Sequence, residues 1–156
     1  MTPDDDPARD LAHTPRDPDF ERVVRASFAR QGFLVDNGAE LAAVEPGRIS
    51  IALPYRAAIT QQQGYFHGAA IGAIADSASG YAALSLMAPD SEVVTVEYKI
   101  NFLALAEGAR LIADGVVLRA GRSLTVGQSD VFAEAADGTR KRIALLQGTF
   151  SRVALS

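Results

Sequence analysis

The stretch QQQGYFHGAAIGAIADSASGYAAL, residues 61–84, decides how this chain is read. From Gly68 onward it is a run of small and apolar residues with helical spacing and no proline. Ile71, Ile74, Ala78 and Ala82 make one stripe, suited to lying on a sheet. Gly68, Gly72, Asp76 and Gly80 recur every fourth residue and make a second. Glycine inside a helix costs about 1 kcal/mol relative to alanine. A row of glycines therefore implies close approach by another backbone or by a ligand. One carboxylate, Asp76, lies on that row.

The spacing starts the helix at His67 or Gly68. The first N–H groups of a helix have no intrahelical partner and sit at the positive end of its dipole. They suit an oxygen that is acquiring negative charge. Asp76 offers a base or a nucleophile, but it is eight residues from Gly68, about 12 Å along the axis. One reacting carbonyl cannot touch both. Two copies of the helix, antiparallel along the glycine row, would set Asp76 of one near Gly68 of the other, so the geometry favours a dimer with shared sites. The residues alone leave other readings open. Asp76 is also a suitable N-cap for a second helix beginning at Ser77, His67 a structural hydrogen-bonder, and the glycine row simple tight packing.

The rest of the chain supplies the sheet. Phe20, Val23, Val24 and Phe28 have the spacing of a short amphipathic helix ending near Gly32. Strands follow in AELAAVEP and in GRISIALPY, where Ile49, Ile51 and Leu53 alternate, and a loop runs from Pro54 to Gly64. After the long helix, SEVVTVEYKINFL alternates Val94, Val96, Tyr98, Ile100 and Phe102 against Thr95, Glu97, Lys99 and Asn101. Two further strands join at Ala120-Gly121, and Asp137-Gly138 signals a hairpin into the last. The expected fold is α+β: helix, two strands, a long helix, then an antiparallel meander of four strands, with the apolar helix filling the concave side of a curved sheet. Residues 1–19, acidic and proline-rich, read as a disordered tail, and residues 20–156 as one domain.

Composition narrows the function. Lys and Arg number 15 against 19 Asp and Glu, a net charge of -4, which argues against a general nucleic-acid binder. There are no cysteines and only two histidines, His13 and His67. Disulfides and thiolate chemistry are excluded, and a zinc site is not expected. Asp76, Ser77, Ser79 and Ser85 interrupt the apolar run over 68–88, so a buried helix is expected there rather than a membrane span. The N-terminus lacks the pattern of a secretory signal, and a cytoplasmic location is expected. There is no G-x-S-x-G, no Walker loop and no dinucleotide-binding G-x-G-x-x-G.

Residues 61–84 resemble the central helix of hotdog-fold acyl-CoA thioesterases of the phenylacetate-pathway (PaaI-like) type. That family carries Asn or Gln before His-Gly-Gly and an Asp nine residues after the His. These fall on Gln61, His67-Gly68-Ala69 and Asp76. The resemblance continues through VEYKINFLALAEG and LRAGRSLTVGQSDVF and covers about residues 30–153. It implies that Asp76 is the nucleophile or the base activating water. The Gly68 N–H would polarise the thioester carbonyl, His67 would shape the helix start, and Gln61 would orient the water or the leaving group. Thr95 falls where some relatives place a hydroxyl near the thioester sulfur, and Arg119, Arg122 and Ser123 would meet the phosphates of coenzyme A. A medium-chain or aromatic acyl-CoA and a homodimer or homotetramer are the implied substrate and assembly. The chain departs from the pattern at Ala69 (for glycine), at Gln61 (a methylene longer than Asn) and at Leu105 (for proline). Two rival functions stand beside this one: an enoyl-CoA hydratase or dehydratase on the same fold, using His67 with Asp76, and a non-catalytic acyl-CoA-binding protein.

Overall fold

The computed structural model describes residues 12–155. Its centre is α3 (Gly68–Leu84). Before it come α1 (Phe20–Phe28), α2 (Gly32–Asp36), β1 (Glu40–Glu45) and β2 (Arg48–Pro54). After it come β3 (Ser91–Phe102), β4 (Arg110–Ala120), β5 (Leu124–Glu134) and β6 (Arg140–Ala154). All neighbouring strands are antiparallel, in one six-stranded sheet of order β1-β2-β4-β5-β6-β3. Five of those strands, β2 to β6, pack on α3, so the curved sheet wraps the helix. The α+β class and the helix-in-sheet arrangement are as the sequence predicts.

The stripe Ile71, Ile74, Ala78 and Ala82 is buried against the sheet, and Ile49, Ile51 and Leu53 reach the same core from β2. From α1, Val24 and Phe28 close it, with Phe28 edge-on to Tyr81 at a centroid distance of 5.8 Å. No helix among the described residues is long and apolar enough to cross a membrane.

Three expectations change. Gly32 begins α2 rather than ending α1. The last four strands are no simple meander, because β3 lies at the far edge and pairs with β6. Of these four only β4, β5 and β6 are joined by tight turns, and tight turns dictate neighbours. The longer link over residues 103–109 carries no such instruction. The third concerns the phase of β3. A bulge between Thr95 and Glu97 inserts one residue, so side chains on either side exchange faces. Thr95, read as opposite to Tyr98 and Phe102, shares their helix-facing side.

The disordered tail expected over residues 1–19 lies outside the described residues for 1–11. Over 12–19 the chain has no helix or strand, yet His13 sits against Gly47 and its Nε2 donates to the Val117 carbonyl at 3.2 Å. Gly47 N–H in turn donates to Ser85 Oγ at 2.7 Å, just beyond α3.

Candidate active site

The second stripe of α3 faces β3 of its own chain. A methyl built on Gly68 would lie 3.2 Å from the Phe102 ring, one on Gly72 3.6 Å from the Tyr98 hydroxyl, and one on Gly80 3.5 Å from Phe150 and 4.0 Å from Val93. The row is therefore covered within the chain by side chains of β3 and β6, where the sequence reading lays a second helix along it. Small residues let these rings rest on the helix backbone.

Asp76 is the one member of the row with a functional side chain, and it meets Thr95. The Thr95 hydroxyl donates to Asp76 Oδ1 at 2.8 Å. Burial pushes the Asp76 carboxyl above the usual aspartate value of 3.8, and the Thr95 hydrogen bond pulls part of the way back. A carboxylate short of solvent is a better proton acceptor near neutral pH than a surface aspartate. α3 runs unbroken through Asp76, which removes the reading of Asp76 as an N-cap.

At the start of the same helix His67 is the N-cap, and its Nδ1 accepts the Ala69 N–H at 2.9 Å. The Ala70 and Ile71 N–H groups turn back to the His67 carbonyl at 2.9 and 3.2 Å. The Gly68 N–H is left without an acceptor among the described residues. It points out of the positive end of a helix of 17 residues. Gln61 lies at this end too. The His67 N–H bonds to the Ile59 carbonyl at 2.9 Å, and Thr60 bridges to Phe66, which ties the Gln61 turn to the helix start. The Gln61 side chain engages Gln63, its Nε2 donating to Gln63 Oε1 at 2.9 Å.

The predicted residues thus fall into three groups along α3. Gln61, His67 and Gly68 are at its start and Asp76 with Thr95 at its middle. Arg122 and Ser123, in the β4–β5 turn, line a small hollow by its end with Arg16, Arg152, Ala83 and Met87. Arg119 is exposed beside a bulge in β4. The His67–Asp76 pair of the dehydratase reading is not formed in the chain, since His67 Nδ1 is spent on capping and nine residues, about 13 Å of helix, separate them.

Gln31 and Tyr81, which the sequence reading passes over, help line a pocket of about 70 Å³ beside Asp76 with Ser77, Gly80, Val93 and Thr95. Gln31 Nε2 donates to the Tyr81 hydroxyl at 2.9 Å, and burial pushes that phenol up from its ordinary value. The signal for Tyr81 was present: it is the lone hydroxyl-bearing aromatic in the apolar helix. Among the described residues no cluster of three or more His, Cys, Asp or Glu is arranged to hold a metal ion.

A long helix wrapped by a six-stranded antiparallel sheet, with one desolvated aspartate facing the edge strand, defines a hotdog-fold protein. A sequence model of the thioesterase superfamily matches residues 63–137. A solved structure of a thioesterase family protein from Silicibacter pomeroyi is 40% identical, covers 86% of this chain and 98% of its own, and superposes with a TM-score of 0.84. The chain belongs to the thioesterase superfamily, a family of thioester hydrolases. A presumed esterase of Saccharolobus solfataricus is 35% identical over 83 residues, 53% of this chain and 59% of that protein, so the match spans a little over half of that relative. The E. coli PaaI protein, from the phenylacetic acid degradation operon, shares the fold: TM-score 0.75 at 18% identity, covering 88% of this chain and 96% of its own.

Proposed function

We propose that the protein hydrolyses a medium-chain or aromatic acyl-CoA thioester to the free acid and coenzyme A, in the cytoplasm and without a cofactor. The observation that carries this is the pairing of a desolvated carboxylate, Asp76 on Thr95, with the Gly68 N–H at the start of the same helix, which has no acceptor among the described residues. Asp76 takes a proton from water as the water oxygen bonds to the thioester carbon. The carbonyl oxygen, becoming negative, is held by the Gly68 N–H. Collapse of the tetrahedral intermediate breaks the C–S bond, and the proton held on Asp76 passes to the leaving sulfur. Thr95 stands beside that sulfur, Gln61 orients the water or the leaving group, and Arg119, Arg122 and Ser123 face the phosphates of coenzyme A.

The two groups are about 12 Å apart on one rigid rod, so the reading requires a second copy. The edge of β3 supports one. Among the described residues it is unpaired, and Val94, Val96, Tyr98, Phe102, Leu103 and Leu105 are exposed on it or just past its end. An exposed, unpaired and apolar edge is what a partner strand covers.

The test is a thiol-release assay over short, medium, long and aromatic acyl-CoAs with the parent chain and Asp76→Asn. Folded Asp76→Asn with parental turnover would refute the role. A single turnover in oxygen-18 water is expected to place the label in the acid product alone. Label recovered in Asp76 would show attack by the carboxylate itself.

A further inference from the structure

Ser79 and Ser129 are both 0% exposed, between the central helix and the sheet, where most of the buried side chains are aliphatic or aromatic. A hydroxyl buried there is unfavourable unless it is hydrogen-bonded, and theirs are. Ser129 Oγ donates to the Ala75 carbonyl at 2.6 Å, and the Ser79 and Ser129 oxygens are 2.5 Å apart. Each hydroxyl has one proton, so the pattern that serves both bonds has Ser79 donating to Ser129 and Ser129 to Ala75. The Ala75 carbonyl belongs to the peptide unit that carries the nitrogen of Asp76.

One strand over, Gly115 pairs directly with Ser129. A Cβ on Gly115 would fall well inside contact distance of the Ala78 carbonyl, so the helix backbone rests on the sheet at that point. The sheet thus holds α3 at Ala75 by a hydrogen bond and at Ala78–Ser79 by backbone contact. These points bracket Asp76 on the turn that carries it.

We infer that Ser79, Ser129 and Gly115 are positioning residues for Asp76, setting the slide and rotation of α3 at which its carboxylate meets Thr95. This rests on the role proposed for Asp76 above. Apolar packing is non-directional and leaves a helix free to settle. A hydrogen bond to one named carbonyl fixes it. The accuracy matters, because a misplacement of about 1 Å in a reacting group costs on the order of 10²-fold in rate.

The test uses the full chain with Ser79→Ala/Ser129→Ala, with Thr95→Val, and with all three changes, assayed by thiol release from octanoyl-CoA and benzoyl-CoA. Replacing both hydroxyls by apolar groups leaves no orphaned partner, so the serine variant should melt near the parent. Its turnover should fall about tenfold with KM nearly unchanged, an interaction effect that vanishes in the Thr95→Val background, where the contact it serves is gone. Parental turnover in the serine variant, or an equal fall in both backgrounds, overturns the inference. If the double variant does not fold, Ser129→Ala alone carries the same comparison, with Ser79 able to turn to the Ala75 carbonyl at 3.2 Å. Asp76→Asn run alongside separates the two proposals. If it is inactive while the serine variant keeps parental turnover, positioning alone fails. If it keeps turnover, the Asp76 role fails and positioning with it.

Discussion

The Thr95 hydroxyl donates to the Asp76 carboxylate across 2.8 Å, from the edge strand to the middle of the central helix. This bond opposes the effect of burial, stabilising the charged form that burial disfavours. Thr95→Val removes the opposition and should raise the Asp76 pKa further. Activity that needs the carboxylate would then set in at higher pH. The acid limb of the pH–rate profile is the measurement, and a limb that stays in place or moves to lower pH would contradict the assignment.

Asp76→Asn should separate activity from stability. General-base loss lowers turnover by roughly 10²-fold or more. Stability moves the other way. The folded-state pKa of Asp76 lies above 3.8, so the folded chain binds the extra proton and its stability falls as pH rises through that folded pKa. A neutral Asn, still able to accept from Thr95, escapes the fall. At neutral pH the variant should melt above the parent, by about 2–4 °C for each kcal/mol recovered. The gap should close below pH 4, which thermal melts across pH will show.

Glu134 sets the opposite trend. It is buried between Arg140 and Arg110, whose Nε groups donate to its two oxygens at 2.6 and 2.5 Å. The Arg140 hydrogen bond foremost, then that from Arg110, holds its carboxyl below the usual 4.5. Its contribution is present above 4.5 and lost as pH falls through the lowered value. Glu134→Gln should melt lower than the parent at pH 7 and converge with it in acid.

Gly115→Ala tests the seating of the helix. The added methyl meets the Ala78 carbonyl, and neither the strand nor the helix backbone yields cheaply. A destabilisation of about 1–3 kcal/mol is expected, as for overpacked cores. Urea unfolding measures it.

The parts legible in the sequence were those written locally. The helical run of α3, its start at His67–Gly68 and the Asp137-Gly138 turn all follow from residues within a few positions of each other. What was illegible depended on distance or on counting. The bulge at Thr95 shifts the phase of β3 by one residue, and no residue type announces it. Alternation therefore placed Thr95 on the wrong face, away from Asp76. The edge position of β3 depends on which strands meet, and Gln31 reaches the Asp76 pocket from a segment 45 residues earlier. Nothing in the sequence around Ser129 sets it apart from other polar strand residues. Its partner, the Ala75 carbonyl, has no signature in sequence at all.

The stitch made by His13 has a practical side. By fastening on Gly47 and Val117 it delivers Arg16 to the hollow shared with Arg122 and Arg152. Trimming the leading residues past this point would subtract one of three guanidinium groups gathered there. With the proposed seating of coenzyme A phosphates there, a chain cut after this point should show a higher Michaelis constant than one that keeps Arg16, and steady-state kinetics on the two will show it.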